Sequence, residues 1–266
     1  MNPGGKGANQ AVAAARLGGS VTFVAKVGND VFGQEAIAGF QREGINTAFV
    51  ITDANHPSGV ALINVDDQGE NCITVAPGAN AHLQTTETEP ALQAAKIGTL
   101  VLLQLEIPLK TVRAVAKQAA DRGLRVILNP APAQPLPPDL FQHLFLITPN
   151  ETEAERLTGI RVTDLATAEK AAQHLHKLGV ANVVITLGAK GAFLSTESEH
   201  QLVTAQPVTA LDTTAAGDCF NGALTVALSD GQPLLEALAF GCRAASVSVT
   251  RMGAQASMPT RSELEI

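Results

Sequence analysis

Apolar runs of strand length alternate with helical stretches along nearly the whole chain, the pattern of a parallel sheet covered by helices. An Ala-rich helix is predicted over 8–17, closed by Gly18 and Gly19, then a strand over 21–25 and a helix over about 31–43. The runs 100–103, 124–128, 144–147 and 183–186 are short, apolar and bounded by polar, Gly or Pro residues, as strands buried on both faces are. Helices over 111–122 and 166–178 supply crossovers, and 217–228 and 234–249 read as two packed helices.

One stretch departs from that alternation. Residues 59–65 and 71–75 are strand-like and flank five polar residues that include Gly69, which predicts a β-hairpin. A hairpin inside an α/β chain is often a lid or an edge. The stretch 130–138 is proline-dense but short, a rigid turn more than a boundary. The expectation is a single domain over 1–266 with a hairpin lid at about 59–75.

Composition narrows the function. The chain has 266 residues, 45% of them hydrophobic, enough for a well-filled core. Eighteen basic against 25 acidic residues give a net charge of −7, which argues against a nucleic-acid backbone binder. Trp and Tyr are absent and only nine Phe are present, too few for base stacking. One Lys and a few backbone amides can still neutralise a nucleotide's phosphates. Cys72, Cys219 and Cys242 are far apart with no CxxC pair, which suits a reducing cytoplasm. No apolar run reaches the ~18 residues of a membrane span, and no apolar stretch follows Met1 as in a signal peptide. Neither a P-loop nor a Gly-x-Gly-x-x-Gly after an initial strand occurs. His174 and His176 are two apart, which argues against a metal pair on one helix; the other histidines are expected to be isolated and on the surface.

The sharpest segment runs from Asp212 through Ala215, Ala216, Gly217 and Asp218 to Ala223. Small residues before a helix let its free N–H groups and positive dipole end approach an anion. Asp218 in the first turn is commonly only a dipole-stabilised carboxylate. Beside an anion cradle, it is also placed to take a hydroxyl's proton.

The block Asp212–Asp218 resembles the signature Asp-Thr-x-Gly/Ala-Ala-Gly-Asp of the ribokinase-like carbohydrate kinases. Four further blocks agree in order and spacing: 4–10, containing Gly5, Lys6, Gly7 and Asn9; 129–133; 150–153; and 251–257. The resemblance covers the chain from Gly4 onward. It implies a three-layer α/β fold, a mostly parallel sheet flanked by helices, and ATP-dependent phosphorylation of the primary hydroxyl of ribose. It makes Asp218 the general base, with the amides around Ala215, Ala216 and Gly217 stabilising charge on the phosphoryl group in flight. Gly5, Lys6, Gly7, Asn9 and Glu106 would line the sugar pocket. The bland alternatives are a glycine-rich helix start and a solvated strand-end Glu.

Asn150 and Glu153 have the spacing of a capping box. By the resemblance, Asn150 approaches the nucleotide phosphates and Glu153 helps hold Mg2+ through water. Thr186, Leu187, Gly188, Ala189, Lys190 and Gly191 would cover the nucleotide, with Cys242 and Gly217 on the same side. A K+ site is implied at Asp212 and the carbonyl of Thr214, shared with Ser248, Gly253, Ser257 and the backbone carbonyl of Arg251. The implied partners are a small sugar and ATP, with no nucleic acid or membrane, and a homodimer through the β lid. The family also carries residues before the Gly-Gly loop, including a sugar-binding Asp, whereas Met1 stands three residues before Gly4. A truncated, weakly active nucleotide-binding protein and a kinase of another small sugar or nucleoside are therefore the alternatives.

Overall fold

The computed structural model describes residues 2–65 and 71–264. Its helices are α1 (Lys6–Arg16), α2 (Val31–Arg42), α3 (Thr85–Ala94), α4 (Leu109–Asp121), α5 (Pro138–Phe141), α6 (Glu151–Thr158), α7 (Leu165–Lys177), α8 (Ala216–Ser229) and α9 (Leu234–Ser248). Its strands are β1 (Thr22–Gly28), β2 (Asn46–Asp53), β3 (Val60–Val65), β4 (Asn71–Ala76), β5 (Leu100–Leu103), β6 (Arg125–Leu128), β7 (Leu146–Ile147), β8 (Asn182–Thr186), β9 (Ala192–Ser195) and β10 (His200–Val203).

Six strands form one sheet in the order β10-β9-β8-β7-β6-β5. β5 to β8 are parallel, and β9 and β10 add an antiparallel edge. The expectation of a mostly parallel sheet is met. β1 and β2, however, pair in parallel with each other rather than with β5. The hairpin of β3 and β4 is antiparallel, as the two strand-like runs predict; its expected loop, 66–70, lies outside the described residues.

The pleat sends alternate strand residues to opposite faces. Val126, Leu128, Ile147, Val183 and Ile185 pack against α4, α6 and α7. Ile127, Leu146 and Val184 pack against α8 and α9. α4 buries Thr111, Val112, Val115, Ala116 and Ala119, and α7 buries Ala168, Ala171, Ala172 and Leu175, one stripe each at helical spacing.

α8 is apolar nearly all round because it is covered on two sides. Phe220, Leu224, Ala227 and Leu228 face the sheet, while Cys219, Ala223 and Val226 face α1 and its neighbours. Glycine sets the approach of α1 and α8: a methyl group at Gly222 would lie 2.7 Å from Ala13 Cβ and 2.8 Å from Gln10 O. This contact aligns the start of α1 with the start of α8.

The sequence did not announce every element. α3 is polar and contains Pro90, and β10 is exposed and reads His-Gln-Leu-Val. β2 is mostly half-buried, so its apolar and polar positions mix. Among the described residues, no helix is long and apolar enough to cross a membrane.

Candidate active site

The residues marked by the motifs converge on one edge of the sheet. Gln104 to Glu106 follow β5, Asn129 follows β6, Thr148 and Asn150 follow β7, and Leu187 and Gly188 follow β8. This is the carboxyl edge of the parallel strands, where open α/β sheets bind ligands. The start of α8 completes it.

Asp218 lies in the first turn of α8 and is only 5% exposed. Asn9 Nδ2 donates to its Oδ2 at 2.9 Å, and Gln10 Nε2 donates to its Oδ1 at 2.9 Å. Burial raises the proton affinity of this carboxyl, while the charge of Lys6 and the two amide hydrogen bonds oppose that shift. A carboxylate so balanced accepts a proton more readily than an exposed one.

The backbone beside it is shaped for an anion. Ala215 adopts φ 60° and ψ 16°, and among the described residues it is the one non-glycine with a positive φ. A left-handed residue followed by helical ones turns successive N–H groups to the same side, and α8 has no side-chain cap to occupy them. Ala216 N closes a turn onto Thr213 O at 3.2 Å. A methyl group at Gly217 would meet nothing within 4 Å, so the space in front of the cradle is open.

The Gly-Gly loop lies across from it. Lys6 N donates to Glu106 Oε2 at 2.7 Å, and burial raises the Glu106 carboxyl while Lys6 lowers it. Gly5 has φ 96° and starts α1. A methyl group at Gly7 would come within 3.0 Å of Gln104 Oε1 and 3.4 Å of Phe23 Cε2. Asn9 Oδ1 is buried without a hydrogen-bond partner.

At the start of α6, the capping box is formed. Asn150 Oδ1 accepts from Glu153 N at 2.8 Å, and Asn150 N donates to Glu153 Oε2 at 2.9 Å. Burial raises the Glu153 carboxyl, opposed mainly by the Asn150 N–H. Asn150 and Thr186 form a parallel β-bridge, and Thr186 N donates to Pro149 O at 2.9 Å, so two motifs distant in sequence are adjacent here. Gly188, Ala189 and Lys190 form an exposed 3-10 turn after Leu187. Gly191 has φ 103°, and a methyl there would lie 1.9 Å from Val203 O. Leu187, Ala189 and Lys190 also line a cavity of about 480 Å³ with Thr163, Asp164 and Leu202; none of the groups that hold Asp218 reaches it. Cys242 packs in the core with Phe220, Leu224 and Leu238, and burial pushes its thiol up to about 11.

The cation-motif residues are partly gathered. Asp212 Oδ1 accepts from Thr214 N at 2.9 Å, and its Oδ2 accepts from Gly253 N at 2.8 Å. A hydrogen bond from the Thr214 side chain, with those from Gly253 N and Thr214 N, holds the Asp212 carboxyl below the usual range. The Ser257 hydroxyl donates to Ala254 O at 2.8 Å, and Arg251 pairs its side chain with Glu263 at 2.6 Å. Ser248 turns its hydroxyl to Ala245 O and contacts Cys219, and its carbonyl accepts from Arg251 N.

Sequence reasoning gave no role to the polar layer around Asp218: Gln10 and Asn129, which lie inside the matching blocks 4–10 and 129–133, and Gln104, Thr148 and Asn221. Gln10 is 1% exposed, beside the buried Asn9, on a helix otherwise buried through Ala and Val, and adjacent amides on an Ala-rich helix were the available signal. The histidines also need correcting. Of the four expected to be isolated, His56, His82 and His200 have side-chain partners: His56 stacks on His82 with centroids 3.5 Å apart, and His176 Nε2 and His200 Nδ1 lie 2.9 and 3.0 Å from Ser195 Oγ. Ser195 is fully buried, so this triple is structural.

Residues 1–261 match the family model described as pfkB family carbohydrate kinase. The chain is similar to the ribokinase of Haemophilus influenzae, with 46% identity over 98% of this chain and 85% of that one. It is also similar to the solved structure of a Thermotoga maritima ribokinase, at 42% identity and a TM-score of 0.90, covering 99% of this chain and 86% of that one. An Arabidopsis thaliana ribokinase solved with ribose and ATP matches at 34% identity and a TM-score of 0.91, covering 98% and 86%.

Proposed function

Because the chain belongs to the pfkB family of carbohydrate kinases, we propose that it transfers the γ-phosphoryl group of ATP to the primary hydroxyl of D-ribose, giving ribose 5-phosphate. The observation that carries this reading is the placement of the buried Asp218 carboxylate beside the uncapped start of α8, facing Asn9 and the Lys6–Glu106 pair.

Asp218 takes the proton of the sugar hydroxyl as that oxygen attacks phosphorus, and the N–H groups of Ala215 and Gly217 stabilise charge on the phosphoryl oxygens. Ala216 joins them by giving up its weak turn contact. Phosphoryl transfer asks mainly for positioning and charge stabilisation, which this edge of the sheet offers. Asn9 Oδ1 accepts a sugar hydroxyl, and Glu106 and the Gly5–Gly7 backbone hold others. Asn150 and the 186–191 loop hold the nucleotide, and Cys242 shapes its floor from the core.

Glu153 and Asn150 offer hard oxygen atoms, a donor set that fits Mg2+ held largely through water. Bound with ATP, that ion would neutralise phosphate charge. Asp212, the Thr214, Gly253 and Arg251 carbonyls and the Ser257 hydroxyl fit a K+ ion, which would order the loop before α8. Ser248 contributes from behind, through its carbonyl contact with Arg251 N. The exposed Val60, Leu62 and Val75 of the β3–β4 hairpin support its role as a lid and as a homodimer surface. The unpaired Cys219 and Cys242 suit the cytoplasm.

A coupled ADP-release assay over ribose, deoxyribose, fructose and nucleosides tests the proposal. The highest kcat/KM is expected with ribose. A higher value for another acceptor would reassign the substrate, and ATP binding without turnover on any of them would leave a nucleotide-binding protein.

A further inference from the structure

We propose that Gln10 is a positioning residue for the base: with Gln104 and Asn129 it fixes the Asp218 carboxylate so that a free lone pair stays turned to the acceptor hydroxyl. This rests on the reading of Asp218 as the base.

A primary amide offers two N–H donors and one carbonyl acceptor, and in Gln10 all are engaged within the protein. Nε2 donates to Asp218 Oδ1 at 2.9 Å and to Asn129 Oδ1 at 3.0 Å, and Oε1 accepts from Gln104 Nε2. Turning the amide over would place Oε1 against the carboxylate and against the Asn129 carbonyl, with two NH2 groups opposed at Gln104. Only one orientation satisfies every group.

That orientation is anchored in the backbone. Asn129 Nδ2 donates to Thr148 O at 3.2 Å, so it is Asn129 Oδ1 that faces Gln10. Thr148 N in turn donates to Leu128 O at 2.9 Å, just past the paired ends of β6 and β7. A chain of hydrogen bonds therefore joins a main-chain carbonyl at the sheet edge to Asp218 Oδ1, with Gln10 Nε2 donating both to Asn129 and to Asp218. The close contact of α1 with α8 at Gly222 holds its middle member in place.

Asn9 and Gln10 divide the work. Asn9 keeps a buried, unpartnered Oδ1, available to a ligand, whereas Gln10 has nothing left to offer one. The charged groups that bear on Asp218 are Lys6 from the start of α1, which favours its ionised form, and Glu106 after β5 and Glu153 in α6, which share its field. Lys6 acts through its charge, while the Gln10 amide is 1% exposed and hydrogen-bonded through both its nitrogen and its oxygen. Gln10 thus fixes the direction of the carboxylate, and it joins Lys6 and Asn9 in favouring the ionised form.

The test uses Gln10→Met, which keeps length and removes every polar contact, and Gln10→Glu, which sets a second carboxylate against the first. Two readouts are taken on the whole enzyme: the pH dependence of kcat, and the Asp218 carboxyl titration by NMR with ¹³Cγ-labelled Asp, assigned through Asp218→Asn. In Gln10→Met both the acid limb of kcat and the titration are expected to move up by about one pH unit, a tenfold change in proton affinity. At the same time kcat falls about tenfold, with KM for ATP within twofold. Gln10→Glu is expected to move both further. If Gln10→Met does not fold, Gln104→Leu frees the Gln10 amide without touching Asp218 and is expected to move both readouts about threefold in proton affinity. An Asp218 titration unmoved in the folded variants overturns the hold of Gln10 on the carboxylate alone. A titration that moves without the kcat limb overturns Asp218 as the base, and the positioning role with it.

Discussion

Asn9 Nδ2 and Asp218 Oδ2 meet at 2.9 Å across 209 residues of chain, and the other polar atom of the same amide, Asn9 Oδ1, is buried with no partner. An unsatisfied buried acceptor costs about 1–3 kcal/mol, and a sugar hydroxyl donating to it removes that cost. Asn9→Ala is therefore expected to raise KM for ribose by roughly tenfold to a hundredfold, with KM for ATP little changed. Steady-state kinetics with each substrate varied checks this; equal shifts in both constants would contradict it.

Asp218→Asn is expected to lower kcat by ~10²–10⁴, the usual weight of a positioned base. The same variant is expected to melt higher at neutral pH. Burial raises the Asp218 proton affinity in the folded state, so the stability of the parent falls as pH rises from the unfolded carboxyl pKa through the folded one. Below that window both proteins carry a neutral side chain and the difference disappears. The new amide is accommodated because Asn9 can turn its free Oδ1 toward it. Calorimetric melting at neutral and acid pH tests the sign.

Ala215→Gly is expected to stabilise the fold. A left-handed alanine costs about 1–2 kcal/mol, and the greater freedom of glycine in the unfolded chain returns about 0.5–1 kcal/mol of that. A net gain of about 0–1.5 kcal/mol remains. Since the N–H groups of the cradle are unchanged, kcat is expected to stay within threefold. Denaturant midpoints and turnover check both halves.

Gly222→Ala is expected to act on stability and catalysis together. Its added methyl would lie 2.7 Å from Ala13 Cβ and 2.8 Å from Gln10 O, so α1 and α8 must part. Overpacking of this kind costs roughly 1–3 kcal/mol, and the displacement carries Asn9 and Gln10 away from Asp218. A variant with parental melting and parental kcat would show that the contact does not set the site.

Replacing Na+ by K+ is expected to raise activity, and Asp212→Ala is expected to abolish that response while leaving the fold intact. Asp212 ties the loop before α8 to Gly253 through Thr214 N and Gly253 N. Activity titrations with either salt distinguish the variant from the parent.

Local chemistry made much of this protein legible. The buried strands at 100–103 and 183–186 and the helices over 111–122 and 166–178 appear within a few residues of where apolar periodicity places them, because their burial pattern is written in neighbouring residues. The phosphate-side motif was legible for the same reason: Ala215 to Asp218 is a contiguous turn and helix start. Tertiary structure alone decided what touches Asp218. Gln10, Gln104 and Asn129 lie on three separate elements, and no spacing along the chain reveals that their amides form one chain of hydrogen bonds. β1 and β2 pair with each other apart from the main sheet, His56 stacks on His82, and His200 joins His176 at Ser195. Helix and strand patterns report which face of a segment is buried. Which distant polar group that face meets is set by helix crossing and strand order, and at α1 and α8 by the missing side chain of Gly222.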